Sequence, residues 1–388
     1  MSRHAVRKTV ARLHEITGLS VGLVFAIISL SGSLLVFYPQ IDLWLNPQIQ
    51  PQAPSATASI DADRALQVLQ QTNRERHGSW RLEMPLNGQP LNARYMKPAE
   101  TAGTGFAPML VSIDPVSYEI TSQRFWGDTL MTWLYDLHFT LLMKQSGATL
   151  AAVCGLIALF ISLSGLYLWW PKGKSNSEKW RKALSFKRHA HPIRRIYDLH
   201  TRPGVYSLIV VVMLCLTGAM LERPQWFSPA LEQISPRTAM PAVNSLPPAN
   251  AWKSDQPAQR IAAQQAAAIA LNEFPTAELR WLQTPADYLD TYSFRLYQPG
   301  EPSRRFPHTR VWVDQYSGRV LATINPLAAS ASDTIFNWLH ALHSGEAFGL
   351  FGRWLVFICG LIPPLLFVTG LMRWIDKRLV TKRERKRA

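Results

Sequence analysis

The chain alternates between two textures. Four runs, 17–38, 147–170, 204–221 and 350–375, are apolar for about 20 residues, the length that crosses a bilayer core as a helix. Two mixed segments, 39–130 and 222–335, separate the first run from the second and the third from the fourth. Each contains a helical pattern, SIDADRALQVLQQTNRER in one and SDQPAQRIAAQQAAAIALNEF in the other, with Ser or Asp placed to cap it. Strand-like alternation follows and ends in a hairpin, PMLVSIDPVSYEI or TRVWVDQYSGRVLATI. Asp114 with Pro115, and residues 315–318, supply the turn chemistry. Stretches rich in Pro, Ala and Ser at 51–58 and 236–250 read as linkers. The first apolar run is too long for a signal-peptide core and has no small-x-small site after it, so it predicts a retained anchor.

The pattern predicts a membrane α plus α/β protein, a four-helix transmembrane bundle carrying two α+β inserts. The expected boundaries are an N-terminus with the first span (1–38), an insert (39–130), the second span (131–170), a loop (171–202), the third span (203–221), a second insert (222–335), the fourth span (336–375) and a tail (376–388).

Charge orients this arrangement. Of the 41 Lys and Arg, 22 lie in 1–15, 171–202 and 373–388, which together carry +17; the rest of the chain sums to −2. Basic short flanks mark the cytoplasmic side. Both termini and the 171–202 loop are therefore expected inside and the two inserts outside, in the periplasm of a Gram-negative cell. The net +15 then reflects a membrane protein, not one that binds nucleic acid. Cys154, Cys215 and Cys359 all fall in apolar runs and read as packing residues. Tryptophans from Trp44 to Trp374 flank the runs, as expected at a membrane interface.

Spacing from the histidines gives the chain an internal repeat. His14 and His200 each have glycine at +4 and +18 (Gly18 and Gly32, Gly204 and Gly218). His138 and His343 each have glycine at +9, +17 and +27, ending at Gly165 and Gly370. The chain thus reads as helix, insert, helix, twice over. Two parallel repeats put a pseudo-two-fold axis along the membrane normal. That axis sets His14 against His200 near the inner face and His138 against His343 near the outer face.

Neutral imidazole is a good axial ligand for haem iron, and two imidazoles on facing helices can grip one macrocycle. Two pairs predict two haems. Positions 18 apart on a straight helix share a face about 27 Å apart, so Gly32 and Gly218 would leave room for a porphyrin held by the other pair, and Gly165 and Gly370 would do the same from the opposite side. Propionates would need cations: Arg12, Arg194, Arg195 and Arg202 inside, Lys144 and Arg353 outside. His340 fits none of the offsets, which favours His343 as the ligand and leaves His340 as a flanking or substrate-side group. His4, His77, His189, His191 and His308 carry no pattern.

No Walker sequence or HExxH occurs. GTGFAP, at 103–108, lacks the third glycine of a dinucleotide fingerprint and opens no helix. The inner loops are too short for a flavin or nicotinamide domain, so electrons would come from a separate cytoplasmic reductant or from quinol.

LHEITGLSVGLVFAIISLSGSLLVF, LHFTLLMKQSGATLAAVCGLIALFISLSGLYLWWP, LHTRPGVYSLIVVVMLCLTGAM and LHSGEAFGLFGRWLVFICGLIPPLLFVTGLMRW together resemble the PepSY-associated transmembrane family, which includes iron-regulated inner-membrane proteins. The resemblance covers nearly the whole chain. It implies a bacterial inner-membrane enzyme with PepSY-like periplasmic inserts that uses haem b to reduce ferric siderophore and release Fe(II). It also implies His14, His138, His200 and His343 as the haem ligands. The competing expectations are a non-enzymatic anchored module that binds or restrains a periplasmic protein, and a metal transporter. The near-absence of acidic residues in the apolar runs speaks against transport.

Overall fold

A computed structural model describes the chain except residues 1, 52–59, 87, 105, 172–176, 188, 249–257 and 388. Most of the first linker, the end of the second, part of the 171–202 loop and Gly105 of GTGFAP lie outside the described residues. The helices are α1 (Arg3–Ser20), α2 (Gly22–Leu35), α3 (Tyr38–Leu45), α4 (Ala62–Thr72), α5 (Leu130–Thr140), α6 (Lys144–Trp169), α7 (Ser177–Leu184), α8 (Pro192–Tyr206), α9 (Leu208–Glu222), α10 (Pro224–Glu232), α11 (Ala263–Glu273), α12 (Ala331–Ser344), α13 (Gly349–Gly360) and α14 (Ile362–Arg387). The strands are β1 (Trp80–Glu83), β2 (Leu91–Tyr95), β3 (Met109–Ile113), β4 (Ile120–Phe125), β5 (Glu278–Gln283), β6 (Tyr292–Tyr297), β7 (Thr309–Val313) and β8 (Val320–Ile324). The chain divides into two compact units: 1–37, 134–227 and 342–388 form the helical unit; 38–133 and 228–341 form the sheet unit.

In the helical unit, Lys144–Trp169 and Glu346–Leu379 are long and apolar enough to cross a membrane. The number rises to four if two bent pairs each count as one span: α1 with α2, bent by 59°, and α8 with α9, bent by 64°. The bends have local causes. Near the first, the Thr17 and Ser20 hydroxyls donate back to the carbonyls of Leu13 and Ile16. Near the second, Pro203 removes a backbone donor and Ser207 donates its hydroxyl to the Pro203 carbonyl. Such substitutions loosen the ladder and tilt a helix.

Small residues bring the helices close, as in membrane bundles generally. α6 packs on α9, where Ala158, Val211 and Cys215 are buried together and a Cβ at Gly155 would lie 3.3 Å from the Cys215 carbonyl oxygen. The three cysteines are buried and unbridged.

The sheet unit holds one eight-stranded antiparallel sheet in the order β4-β3-β2-β1-β5-β6-β7-β8. The two inserts expected from sequence therefore share a sheet, joined where Leu82 stands opposite Leu282. α4 and α11 cover one face over a core that includes Leu69, Trp80, Leu82, Leu282, Phe294 and Val311. Both expected hairpins form. In each, an aspartate carboxylate accepts two backbone N–H groups across the turn: Asp114 from Val116 and Ser117, Asp314 from Tyr316 and Ser317.

The caps differ from expectation in one place. Asp61 caps α4 as read, accepting from the Arg64 N–H at 3.0 Å. The caps expected for α11, Ser254 and Asp255, lie outside the described residues, and the helix starts only at Ala263. Its first N–H groups go instead to Asp63, from Ala263 at 2.7 Å and Gln264 at 3.2 Å, while Gln264 Oε1 accepts from the Ala62 N–H. The two helices cap each other.

Candidate functional site

The four motif histidines lie in the helical unit as two facing pairs. The rings of His14, on α1, and His200, on α8, have centroids 6.4 Å apart at 88°. Those of His138, on α5, and His343, on α12, are 6.0 Å apart at 46°.

Hydrogen bonds at Nδ1 fix the tautomer of each ring. His14 Nδ1 meets Ser164 Oγ at 2.9 Å, His200 Nδ1 meets Thr369 Oγ1 at 3.1 Å, and His343 Nδ1 meets Thr217 Oγ1 at 2.9 Å. Each hydroxyl already donates its only proton to a carbonyl of its own helix: Ser164 to Ile161, Thr369 to Leu365, Thr217 to Met213. The hydroxyl can then only accept, so the imidazole donates. His138 Nδ1 meets the Ile28 carbonyl oxygen at 2.8 Å, which is an acceptor by nature. All four rings therefore carry the proton on Nδ1 and the lone pair on Nε2, the arrangement that orients an imidazole for ligation.

The glycines complete this arrangement, though not in the way the spacing suggested. A Cβ built on Gly32 would lie 2.5 Å from His138 Cε1, one on Gly218 3.0 Å from His343 Cε1, one on Gly165 3.2 Å from His14 Cε1, and one on Gly370 3.3 Å from His200 Cε1. The missing side chains make room for imidazole rings, where the sequence suggested room for a porphyrin. The helix between each histidine and its own repeat glycine is also not straight, because a break intervenes every time: Val21, Ser207, 141–143 and 345–348. The sequence carried one further signal. Each of the four glycines follows a hydroxyl residue, Ser31, Ser164, Thr217 or Thr369. Three of these hydroxyls hold Nδ1, and Ser31 Oγ lies 3.5 Å from His138 Nδ1.

The expected propionate partners divide. Arg202 is buried and its guanidinium is taken up by Asp198, Thr201 and the carbonyls of Ser185 and Lys182, which removes it from that set. Arg194 pairs with Asp198 and Arg195 donates to the Ala190 carbonyl. Arg353 donates to the Val36 carbonyl and lies over the Phe37 ring at 4.6 Å. Arg12 is exposed on α1. Arg373, which no repeat spacing marks, stands within electrostatic reach of both His14 and His200. His340 belongs to the sheet unit, its ring tilted by 49° against Phe306 with centroids 4.1 Å apart.

The donor set narrows what these pairs can hold. Among the described residues no group of three or more His, Cys, Asp or Glu could hold a bare metal ion. A metal in a macrocycle needs only two axial protein ligands. An imidazole nitrogen sits about 2.0 Å from its metal, which with the ring radius on either side sets two axial rings about 6 Å apart. Both pairs match that separation, so the residues fit an iron porphyrin.

No curated protein matches the chain. The model of the PepSY-associated TM region family matches residues 11–377, and with nearly its whole length covered the chain belongs to that family.

Proposed function

We propose that the chain is a haem-b reductase of the bacterial inner membrane that reduces ferric siderophore on the periplasmic side and releases Fe(II). The observation that carries this reading is the pair of histidine couples, each about 6 Å apart, with every Nδ1 engaged as a donor. His14 and His200 would hold one haem, His138 and His343 a second. Bound haem would supply a one-electron carrier within the membrane. The chain's own part is to fix the imidazole tautomers, exclude side chains at the four glycines and surround the pairs with apolar helices.

In the net reaction one electron from a cytoplasmic reductant or quinol reduces Fe(III) to Fe(II). Hard oxygen donors hold the lower charge less tightly, so the chelate opens. The family resemblance, which implies reduction of ferric siderophore, supports the substrate class. The basic flanks support inner termini and outer inserts. A sheet whose strand order is the same from either edge, with α4 and α11 mutually capped across its centre, supports the reading of two parallel repeats.

Pyridine-haemochrome analysis of the purified chain tests the proposal. Two haems per chain are expected, with a Soret band that shifts on dithionite. His14→Ala or His200→Ala should cost one haem, and His138→Ala or His343→Ala the other. A colourless protein with full helical content would leave the anchored module as the reading. Unchanged haem in all four variants would refute the pairing.

A further inference from the structure

The face of the sheet away from α4 and α11 carries an arginine cluster that the redox reading does not use. Cross-strand register puts Arg81 directly opposite Arg94 and Arg295 directly opposite Arg310. Like charges directly opposed in a ladder repel. Some of this charge is compensated. Glu83 pairs with Arg94 at 2.6 Å, and Asp42 takes Arg124 in a two-pronged contact at 2.8 and 3.1 Å. Glu301, within electrostatic reach of Arg295, is taken up by the N–H groups of Gln298 and His308 and the hydroxyl of Thr309.

Among the described residues no salt bridge joins Arg81, Arg295 or Arg310 to a carboxylate. Arg81 and Arg295 instead both lie over the Trp281 ring, at 4.9 and 4.4 Å. Arg81 donates to Gln283 Oε1, and the contact of Arg310 is the Met240 sulfur at 3.8 Å. All three are half-buried. The crowding of cations also weakens proton binding by the groups within it. Burial, then Arg310 and Arg81, pull Arg295 down to about 9. Burial, then Arg295 and Arg310, pull His308 down to about 4.

Glu83 also lies within electrostatic reach of Arg81 and Arg295, but it is held by Arg94. Half-buried cations that repel one another and outnumber the carboxylates in reach are costly unless an anion joins them. We propose that this face binds a polyanion and, resting on the reductase reading for the identity of the cargo, that the ligand is a ferric chelate of net negative charge, built from carboxylates or catecholates. Guanidinium forks match carboxylate and catecholate oxygens in pairs. The Trp281 ring lies under both guanidinium groups and holds them together on this face. A neutral or cationic hydroxamate chelate gains nothing from this charge. A lipid phosphate shares the anion chemistry, and the test separates it.

Gallium(III) chelates are the probe, because gallium is not reduced and binding is read whether or not the chain carries haem. Calorimetric titration of the full-length chain in detergent should show the gallium tris-catecholate binding at least about tenfold more tightly than a neutral gallium tris-hydroxamate, with affinity falling as salt rises. Arg295→Gln and Arg81→Gln should each weaken the catecholate about tenfold, flatten its salt dependence and leave the hydroxamate unchanged. Thermal unfolding should not drop, since each variant relieves a repulsion. Equal affinity for both chelates, or variants that bind like the wild type, would overturn the site. So would variants that lose bound phosphatidylglycerol, measured as phosphorus per chain, while keeping the chelate. A colourless protein that still bound the anionic chelate through Arg295 would support the site and separately sink the redox reading.

Discussion

At each of the four imidazoles the nearest thing to a lock is an absent side chain. Gly32 is the tightest, with its would-be Cβ 2.5 Å from His138 Cε1 and 2.9 Å from Nδ1. Real Cβ atoms do not approach a ring that closely, so Gly32→Ala must push His138 off its hydrogen bond to Ile28. On the proposed two-haem reading, the expected outcome is a chain that folds, carries half the wild-type haem and loses the redox signal of the His138/His343 couple, checked by haemochrome content and redox titration. Gly370→Ala would set its Cβ 3.3 Å from His200 Cε1, a tight contact that a small shift of the ring relieves, so on the same reading it should keep most of its haem. The glycine offsets were legible in the sequence because they repeat. The hydroxyls repeat beside them, but their role was not legible, because Ser and Thr in apolar helices ordinarily bond to their own helix, as these also do.

A second residue-scale outcome concerns His308, which carried no sequence pattern. Its imidazole is held down to about 4, by burial first and then by Arg295 and Arg310. The ordinary histidine value is about 6.5. Between those two values the unfolded chain binds the extra proton and the folded chain does not. Stability therefore rises with pH across that window and is lost as pH falls through it. His308→Gln should flatten the unfolding midpoint between about pH 6.5 and 4. A variant whose midpoint keeps the wild-type slope there would remove His308 from the account.

At the scale of elements, periodicity placed helices well and their breaks poorly. The apolar runs from 17 and from 204 read as continuous, yet each is entered through a bent segment that carries the histidine. Apolar composition does not register a bend; back-bonding hydroxyls and Pro203 do. Caps show the same limit. Asp61 was readable because it stands beside its own helix, whereas Asp63 serves α11 from 200 residues away. Asp63→Ala removes the acceptor for two N–H groups of α11 and should cost about 1 kcal/mol. Asp63→Asn should recover part of it through the remaining side-chain oxygen. Thermal unfolding of both variants in detergent checks this, and equal losses would mean that the carboxylate's charge, not its capping oxygen, is what matters.

For the whole molecule, the sequence separated two inserts and the structure joins them through one short strand pair. β1 and β5 are edge strands of their own halves, and nothing local says that they meet; only the fold supplies the partner for each exposed ladder. The join is apolar on the helix-covered face, with Leu82 and Leu282 opposite one another and both fully buried. On the backbone side, the Trp80 N–H donates to Thr284 Oγ1 at 2.9 Å. If one core serves both halves, damage at the join must reach both edges of the sheet. Leu282→Ala leaves a cavity there and should cost about 2–5 kcal/mol. Hydrogen exchange then discriminates. A shared core loses protection in β2 and β3 as much as in β6 and β7, because opening β5 from β1 strips both halves of their common neighbour. Independent inserts would confine the loss to β5 through β8, and the sheet unit would then be two domains in contact, not one.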